Sequence, residues 1–311
     1  MTIRNMLMAT AAAALMTVGT ASAAERISIG TGGTGGLFYV IGAGMAETLN
    51  KHMDGATARA EVTGASVENI HRVAAGQMTF GLSSSSTLYE AKMGEGPFEG
   101  KPLPVEGMAY LYPAVLQIAT IEDTGIKDFA GLAGKRVSMG PPGSNAAVLA
   151  QRLLEAYGVA SDITPRFLSY NEGIDALKNG QVDAAVVLAG APTASLIDLD
   201  SQEQMHLLQA DAETVQGMLK KYPYYQMYEI PAGTYTGQTE AITAINDPAT
   251  LFTAKAATDD LIYRITSALF GHLDELSQVH PQAASITLEA APDAPIALHP
   301  GAQRYFDEAA K

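Results

Sequence analysis

Arg26-Ile27-Ser28-Ile29 alternates polar and apolar positions as a half-buried strand does, and from Leu37 to His52 the residues Leu37, Ile41, Met45 and Leu49 recur at every fourth position, as one helix face does. Between them stands Gly30-Thr31-Gly32-Gly33-Thr34-Gly35-Gly36. The order is strand, glycine loop, helix. Glycines let backbone N–H groups converge without Cβ interference, beside a helix end whose first N–H donors are unpaired, so the turn is suited to an anion. Gly30, Gly32 and Gly35 also fit G-x-G-x-x-G, which leaves three readings open: a dinucleotide site, another anion site, or a structural turn. The nucleotide reading calls for an acidic residue about 20 positions on. Glu61 is the acid within the next predicted strand, Ala58 to Thr63.

The same unit recurs. Gly64-Ala65-Ser66 follows that strand and leads to Val67, Ile70, Val73 and Ala74, the buried stripe of a short helix, with Ser66 placed as N-cap or ligand contact. Thr79 to Leu82 is a strand, and Ser83-Ser84-Ser85-Ser86-Thr87 opens a helix with more hydroxyls than one cap requires, which favours a binding site there. Met108 to Thr120 is a long apolar run broken at Tyr112-Pro113, as expected of a chain leaving one lobe for another. Beyond it, a short helix is predicted over Ile126 to Leu132, then a strand Arg136 to Met139, the turn Gly140 to Asn145 and a helix Ala146 to Tyr157. Strand Ile163 to Ser169, helix Glu172 to Asn179 and strand Ala184 to Leu188 follow, ending at Gly190-Ala191-Pro192. After a helix from Ala212 to Lys221 come Tyr222, Tyr224, Tyr225 and Tyr228, read as core in preference to a stacking surface. Ile242 to Ala254 crosses Asp247-Pro248 as a second link between lobes, and Thr258 to Leu273 is an amphipathic helix.

Met1 to Ala23 reads as a cleavable export signal, with Arg4 before an apolar run from Met6 to Val18 and Ala21-Ser22-Ala23 at the cleavage site; the run is too short for a membrane anchor. A formal net charge of −14 disfavours nucleic acid and anionic membranes, and the absence of cysteine excludes disulfides, thiolate catalysis and cysteine-linked lipid. The six histidines show no metal-ligand spacing, and neither G-x-S-x-G nor a phosphate-loop motif occurs. The pattern is one of binding without catalysis, with no cofactor and no metal.

Five ordered stretches together resemble the TAXI family of solute-binding proteins, which serve tripartite ATP-independent periplasmic (TRAP) transporters. They are Ile29 to Gly36 with Tyr39, Thr63 to Asn69, Gly131 to Val137, Ile230 to Tyr235, and Leu298 to Ala302. The resemblance implies a two-lobed α/β fold of the type II periplasmic binding protein kind, each lobe a sheet flanked by helices, with the ligand in the cleft between lobes. One lobe would hold residues 24–113 and 249–311, the other 114–248. Gly33, Thr34, Gly35, Tyr39, Ser66, Asn69, Ser84, Ser85 and Ser86 would then line one wall, and Ser144, Asn145, Tyr170, Gly190 and Pro192 the other. The ligand would be a small carboxylate delivered to TRAP permease subunits by a periplasmic monomer not itself inserted in the membrane. Relatives commonly carry Gln-Ser-Asp where this chain has Ser84-Ser85-Ser86, so a carboxylate is missing from the wall and an acid without an amino group, such as 2-oxoglutarate, is favoured over glutamate. An exported sensor subunit, or an enzyme on the same fold, is the alternative.

Overall fold

The computed structural model describes residues 25–33, 36–142 and 144–311, so the expected export signal, Thr34, Gly35 and Gly143 lie outside it. In chain order the strands are β1 (Glu25–Gly30), β2 (Ala56–Glu61), β3 (Phe80–Ser84), β4 (Val105–Tyr112), β5 (Val115–Ile121), β6 (Arg136–Ser138), β7 (Thr164–Arg166), β8 (Ala184–Ala189), β9 (Met205–Leu207), β10 (Gln226–Ile230), β11 (Ile242–Asn246) and β12 (Ala249–Ala254). The helices are α1 (Leu37–His52), α2 (Ser66–Ala74), α3 (Ser85–Met93), α4 (Asn145–Ala156), α5 (Tyr170–Lys178), α6 (Ala194–Gln202), α7 (Ala212–Lys221), α8 (Asp259–Phe270), α9 (Leu273–Ser277) and α10 (Pro300–Ala309).

These strands form two mixed sheets with one plan. The first runs β2-β1-β3-β12-β4, and the second runs β10-β11-β5-β8-β6-β7 with β9 against β5. In the first, β1 is parallel to β2 and β3; in the second, β6 is parallel to β7 and β8. Each parallel trio is flanked by an antiparallel strand arriving from the other sheet: β12 on β3, and β5 on β8. The recurring strand-turn-helix grammar of the sequence is thus used twice, and every helix that follows a parallel strand starts at the same edge of its sheet. Strands in the middle of the sheets are covered on both faces, so β3 and β5 are buried at every position and read as continuous apolar or small-residue runs.

Two short passages carry the chain between sheets: Pro113-Ala114 from β4 to β5, and Asp247-Pro248 from β11 to β12. They are bonded to one another, Asp247 N–H donating to Ala114 O at 2.8 Å, and Asn246 pairs with Val115 and Ala249 with Tyr112 on either side. Proline at both passages fits the local geometry, because neither position can donate to a ladder.

Some local expectations are corrected. Ile126 to Leu132 is not a helix but an irregular segment with a 3-10 turn at Ala130–Leu132, because Asp128 Oδ1 accepts from Gly131 N–H and competes for the backbone. The strand expected over Ile163 to Ser169 is cut to Thr164–Arg166, since Ser169 and Glu172 form a capping box that starts α5 at Tyr170. No turn separates β3 from α3: the serine run passes from strand to helix between Ser84 and Ser85. Ser66 is not the cap of α2 but its first helical residue, after Ala65 at φ +68°. Of the four tyrosines expected in the core, Tyr225 is buried in the cluster of the second sheet with Tyr222 and Tyr224 half-buried against it, and Tyr228 is half-buried on a smaller cluster with Val115, Ile230 and Ala244.

Gly301 marks the tightest helix contact. A Cβ there would run into the Asp259 carbonyl oxygen and lie 2.9 Å from Tyr263 N, so α10 crosses α8 backbone to backbone. Gly301→Ala is expected to destabilise the fold by about 1 to 3 kcal/mol. Thermal unfolding checks this; an unchanged Tm would mean that the two helices separate without cost.

Candidate functional site

The turns after the parallel strands bring the N-termini of α1, α2 and α3 to one sheet edge and those of α4, α5 and α6 to the other. Unpaired N–H groups and aligned peptide dipoles make such edges favourable to anions, and ligands of open α/β sheets sit there. The two edges meet at Asp247. Its Oδ1 accepts from Ser86 N–H at 2.9 Å and its Oδ2 from Ser86 Oγ–H at 2.6 Å, while Asn145 Nδ2 donates to the same Oδ2. Asn145 Oδ1 lies 3.3 Å from Ser86 Oγ. Ser86, on the first sheet's α3, and Asn145, on the second sheet's α4, are therefore joined through one carboxylate on the crossing.

Asp247 and Ser86 are fully buried. Burial pushes the Asp247 carboxyl up to about 6; the bonds from Ser86 and Asn145 act against this, and nearby Glu90 adds to it. Next to it, Glu90 on α3 pairs with Arg152 on α4 at 2.6 Å, and both are largely buried. Arg152 also donates to Tyr225 OH at 2.7 Å and Tyr224 OH at 3.1 Å, its guanidinium lying 4.4 Å from the centre of the Tyr222 ring.

Several predicted residues act as braces. Asn69 is fully buried, with Nδ2 donating to Thr31 O at 2.7 Å and Leu82 O at 2.8 Å and Oδ1 accepting from Thr63 Oγ at 2.7 Å. Its amide therefore fixes the ends of β1 and β3. Ser66 Oγ accepts from Ser84 N–H at 3.1 Å, tying α2 to the end of β3. Ser144 caps α4, its Oγ accepting from Ala147 N–H at 3.3 Å. Tyr170 donates to Leu188 O at 3.0 Å beside Gly140, with burial raising its phenol to about 12. Ser85 N–H donates to Pro248 O at 2.8 Å, and Ser85 lines a separate recess of about 170 Å³ with Tyr89, Tyr224, Pro248 and Asp293, none of them a predicted site residue. Tyr39 lies in the first turn of α1, after Gly36 N–H closes a turn on Gly33 O at 2.8 Å. Gly190 abuts the Gln282 side chain, and a cis peptide joins Ala191 to Pro192. Ser84 is buried at the end of β3.

Glu61 does not serve the nucleotide reading. Its carboxylate is ion-paired with Arg72 at 2.7 Å and Arg59 at 3.0 Å, and its carbonyl accepts from Thr31 N–H and Oγ–H. Sequence reasoning missed Asp247, Glu90, Arg152, Gln117 and Tyr235. Tyr235 OH accepts from Thr193 N–H at 3.0 Å and donates to Gln117 Oε1, which steadies the Gly190 to Thr193 turn. The signal for Asp247 was an acid between an apolar strand and a proline.

Two lobes built on one plan, joined by paired crossings and meeting at helix N-termini, define the fold of periplasmic binding proteins. Solved structures agree. The periplasmic aliphatic sulphonate binding protein SsuA of Escherichia coli matches with a TM-score of 0.54 at 16% identity, over 91% of this chain and 78% of that one. MatC of Rhodopseudomonas palustris with bound malate gives 0.55 at 16% identity over 91% and 97%. PhnD1 of Prochlorococcus marinus in complex with methylphosphonate gives 0.58 at 9% identity over 85% and 91%. The chain belongs to the NMT1-like family, whose profile matches residues 29–309.

Asn69→Ala removes a buried donor from Thr31 O and from Leu82 O, of which Thr31 O can still accept from Thr63 Oγ, at about 1 to 3 kcal/mol for a group left unsatisfied. A fall of about 1 to 3 kcal/mol in unfolding free energy, read from a denaturant midpoint, is expected. Unchanged stability with lost ligand binding would return Asn69 to the list of ligand contacts.

Proposed function

We propose that the protein is an exported solute-binding receptor that captures a small carboxylate between its two lobes and hands it to a TRAP permease. The observation that carries this reading is the junction of Ser86 and Asn145 through Asp247, where helix N-termini of both sheets converge beside the two crossing strands. Residues 25–113 and 249–311 would move as one lobe and 114–248 as the other, closing by bending at Pro113-Ala114 and Asp247-Pro248. Among the described residues no helix is long and apolar enough to cross a membrane, which suits a receptor that docks on a separate permease. The sequence before residue 25 supplies the export signal in this reading.

A small anion is the ligand class that helix N-termini favour, and this fold holds malate in MatC and methylphosphonate in PhnD1. The choice of a carboxylate and of a TRAP permease rests on the motif resemblance. The argument against an amino group changes, because a carboxylate does stand at the serine run: Asp247 is 2.6 Å from Ser86 Oγ.

A thermal-shift screen against C4 and C5 carboxylates, amino acids and NAD tests the reading. A true ligand at 100 times its Kd stabilises by about 2.7 kcal/mol. Ser86→Ala should then weaken that ligand by roughly tenfold to a hundredfold, the loss of a hydrogen bond to a charged group. Silence across the carboxylates, or a shift with NAD, would sink the proposal.

A further inference from the structure

Asp247, Asn145 and Ser86 form a closed set of donors and acceptors whose direction depends on one proton. With the carboxylate ionised, Ser86 Oγ–H and Asn145 Nδ2–H both point at Asp247 Oδ2, and Ser86 N–H at Oδ1. The hydroxyl proton is engaged inward. Add a proton to Oδ2 and that oxygen becomes a donor, so it can no longer face two other donors. A half-turn of the Asn145 amide resolves the conflict. Its Oδ1 then accepts from Asp247 Oδ2–H, and its Nδ2 takes the position 3.3 Å from Ser86 Oγ and donates to it. Ser86 Oγ accepts from Asn145, and its own proton, no longer held by a carboxylate anion, is free to be offered to a ligand. Ser86 N–H keeps its bond to Oδ1 throughout.

Resting on the receptor reading, we infer that Asp247 is a positioning residue that sets which hydrogens Ser86 and Asn145 offer, and that capture of a carboxylate is accompanied by uptake of one proton on Asp247 Oδ2. The proton comes from solvent, and no bond other than O–H forms or breaks. In the protonated state the donors run in one direction, from Asp247 to Asn145 to Ser86 to the ligand. The competing negative charge beside the ligand is removed in the same step, which matters most in a buried setting of low dielectric. The titratable groups coupled to Asp247 are Glu90 on α3 and Tyr225 in the segment before β10, and Arg152 on α4 bonds both of these. Glu90 and Arg152 are paired with each other, so Asp247 is the acid of this set that lacks a cationic partner. Its raised carboxyl, at about 6, puts the proton within reach near neutral pH.

Two measurements test this. The first needs no ligand. A carboxyl raised from its ordinary value to about 6 contributes stability that is complete at low pH and is lost as pH rises toward and through 6. Wild type should therefore lose stability relative to Asp247→Asn between pH 4 and 7, and parallel Tm curves would overturn the inference. The second is calorimetric titration of malate and of 2-oxoglutarate at pH 5.5 to 8, in buffers of differing ionisation enthalpy. Wild type should take up a proton on binding, with affinity falling by at most about tenfold per pH unit above 6. Asp247→Asn, with the polarity of the protonated acid, should bind without proton uptake and without pH dependence. Proton uptake that persists in Asp247→Asn, or wild-type affinity that rises with pH, overturns the inference while leaving the receptor reading intact. If neither acid binds at any pH, the receptor reading for carboxylates fails, and the inference with it.

Discussion

The structure depends on placing a carboxylate where the chain passes between its two sheets. Asp247 is fully buried, and such a group is tolerated only when donors satisfy it. Those donors come from both sides: Ser86 from the helix that caps β3, Asn145 from the helix that follows β6. The backbone of the same short passage adds two more ties, Asp247 N–H to Ala114 O and Ser85 N–H to Pro248 O. Crossing strands, α3 and α4 are therefore held as one junction. The Glu90–Arg152 pair stands one helical turn along from Ser86 and about two turns along from Asn145, and it repeats the link between α3 and α4.

The glycine loop and the Thr63 to Asn69 stretch belong to a different layer. Thr31, Thr63 and Asn69 bond one another and the ends of β1, β2 and β3, so these residues set the shape of that sheet edge, where in the proposed reading backbone N–H donors would meet the ligand. Glycine at 30 is required for that packing, because a Cβ there would sit 2.7 Å from Asn69 Oδ1. Small residues next to a bracing amide would let the backbone itself serve as a binding surface.

The sequence made the fold class readable because its period changes are clean. Alternation in Arg26 to Ile29, the fourfold spacing from Leu37 to Leu49, and proline in the two apolar runs together mark strands, helices and both crossings. Short elements were harder. The third-position spacing of Ile126, Phe129 and Leu132 looks helical, yet Asp128 diverts the backbone. The site was legible as a set of turns but not as roles. Whether a serine caps, braces or faces a ligand depends on which N–H lies within hydrogen-bond reach of its hydroxyl, and for Ser66 that N–H belongs to Ser84, 18 residues away in sequence. Asp247 escaped for the same reason: its partners lie 102 and 161 positions away.

The electrostatics of the site follow from these distances. A protein with a formal charge of −14 repels anions at long range, and Arg152, a cation close to the junction, is already held by Glu90 and two tyrosine hydroxyls. An anion at this site would be met by oriented neutral donors. Helix N-termini, a serine hydroxyl and a carboxamide are weaker than a guanidinium individually, but they act over short range and are fixed before the ligand arrives. If the ligand binds there, with no cation among the described residues bonded to Asp247, Ser86 or Asn145, the charge on Asp247 would be a large variable in the local field, and the proposed polarity of Ser86 and Asn145 would change with it.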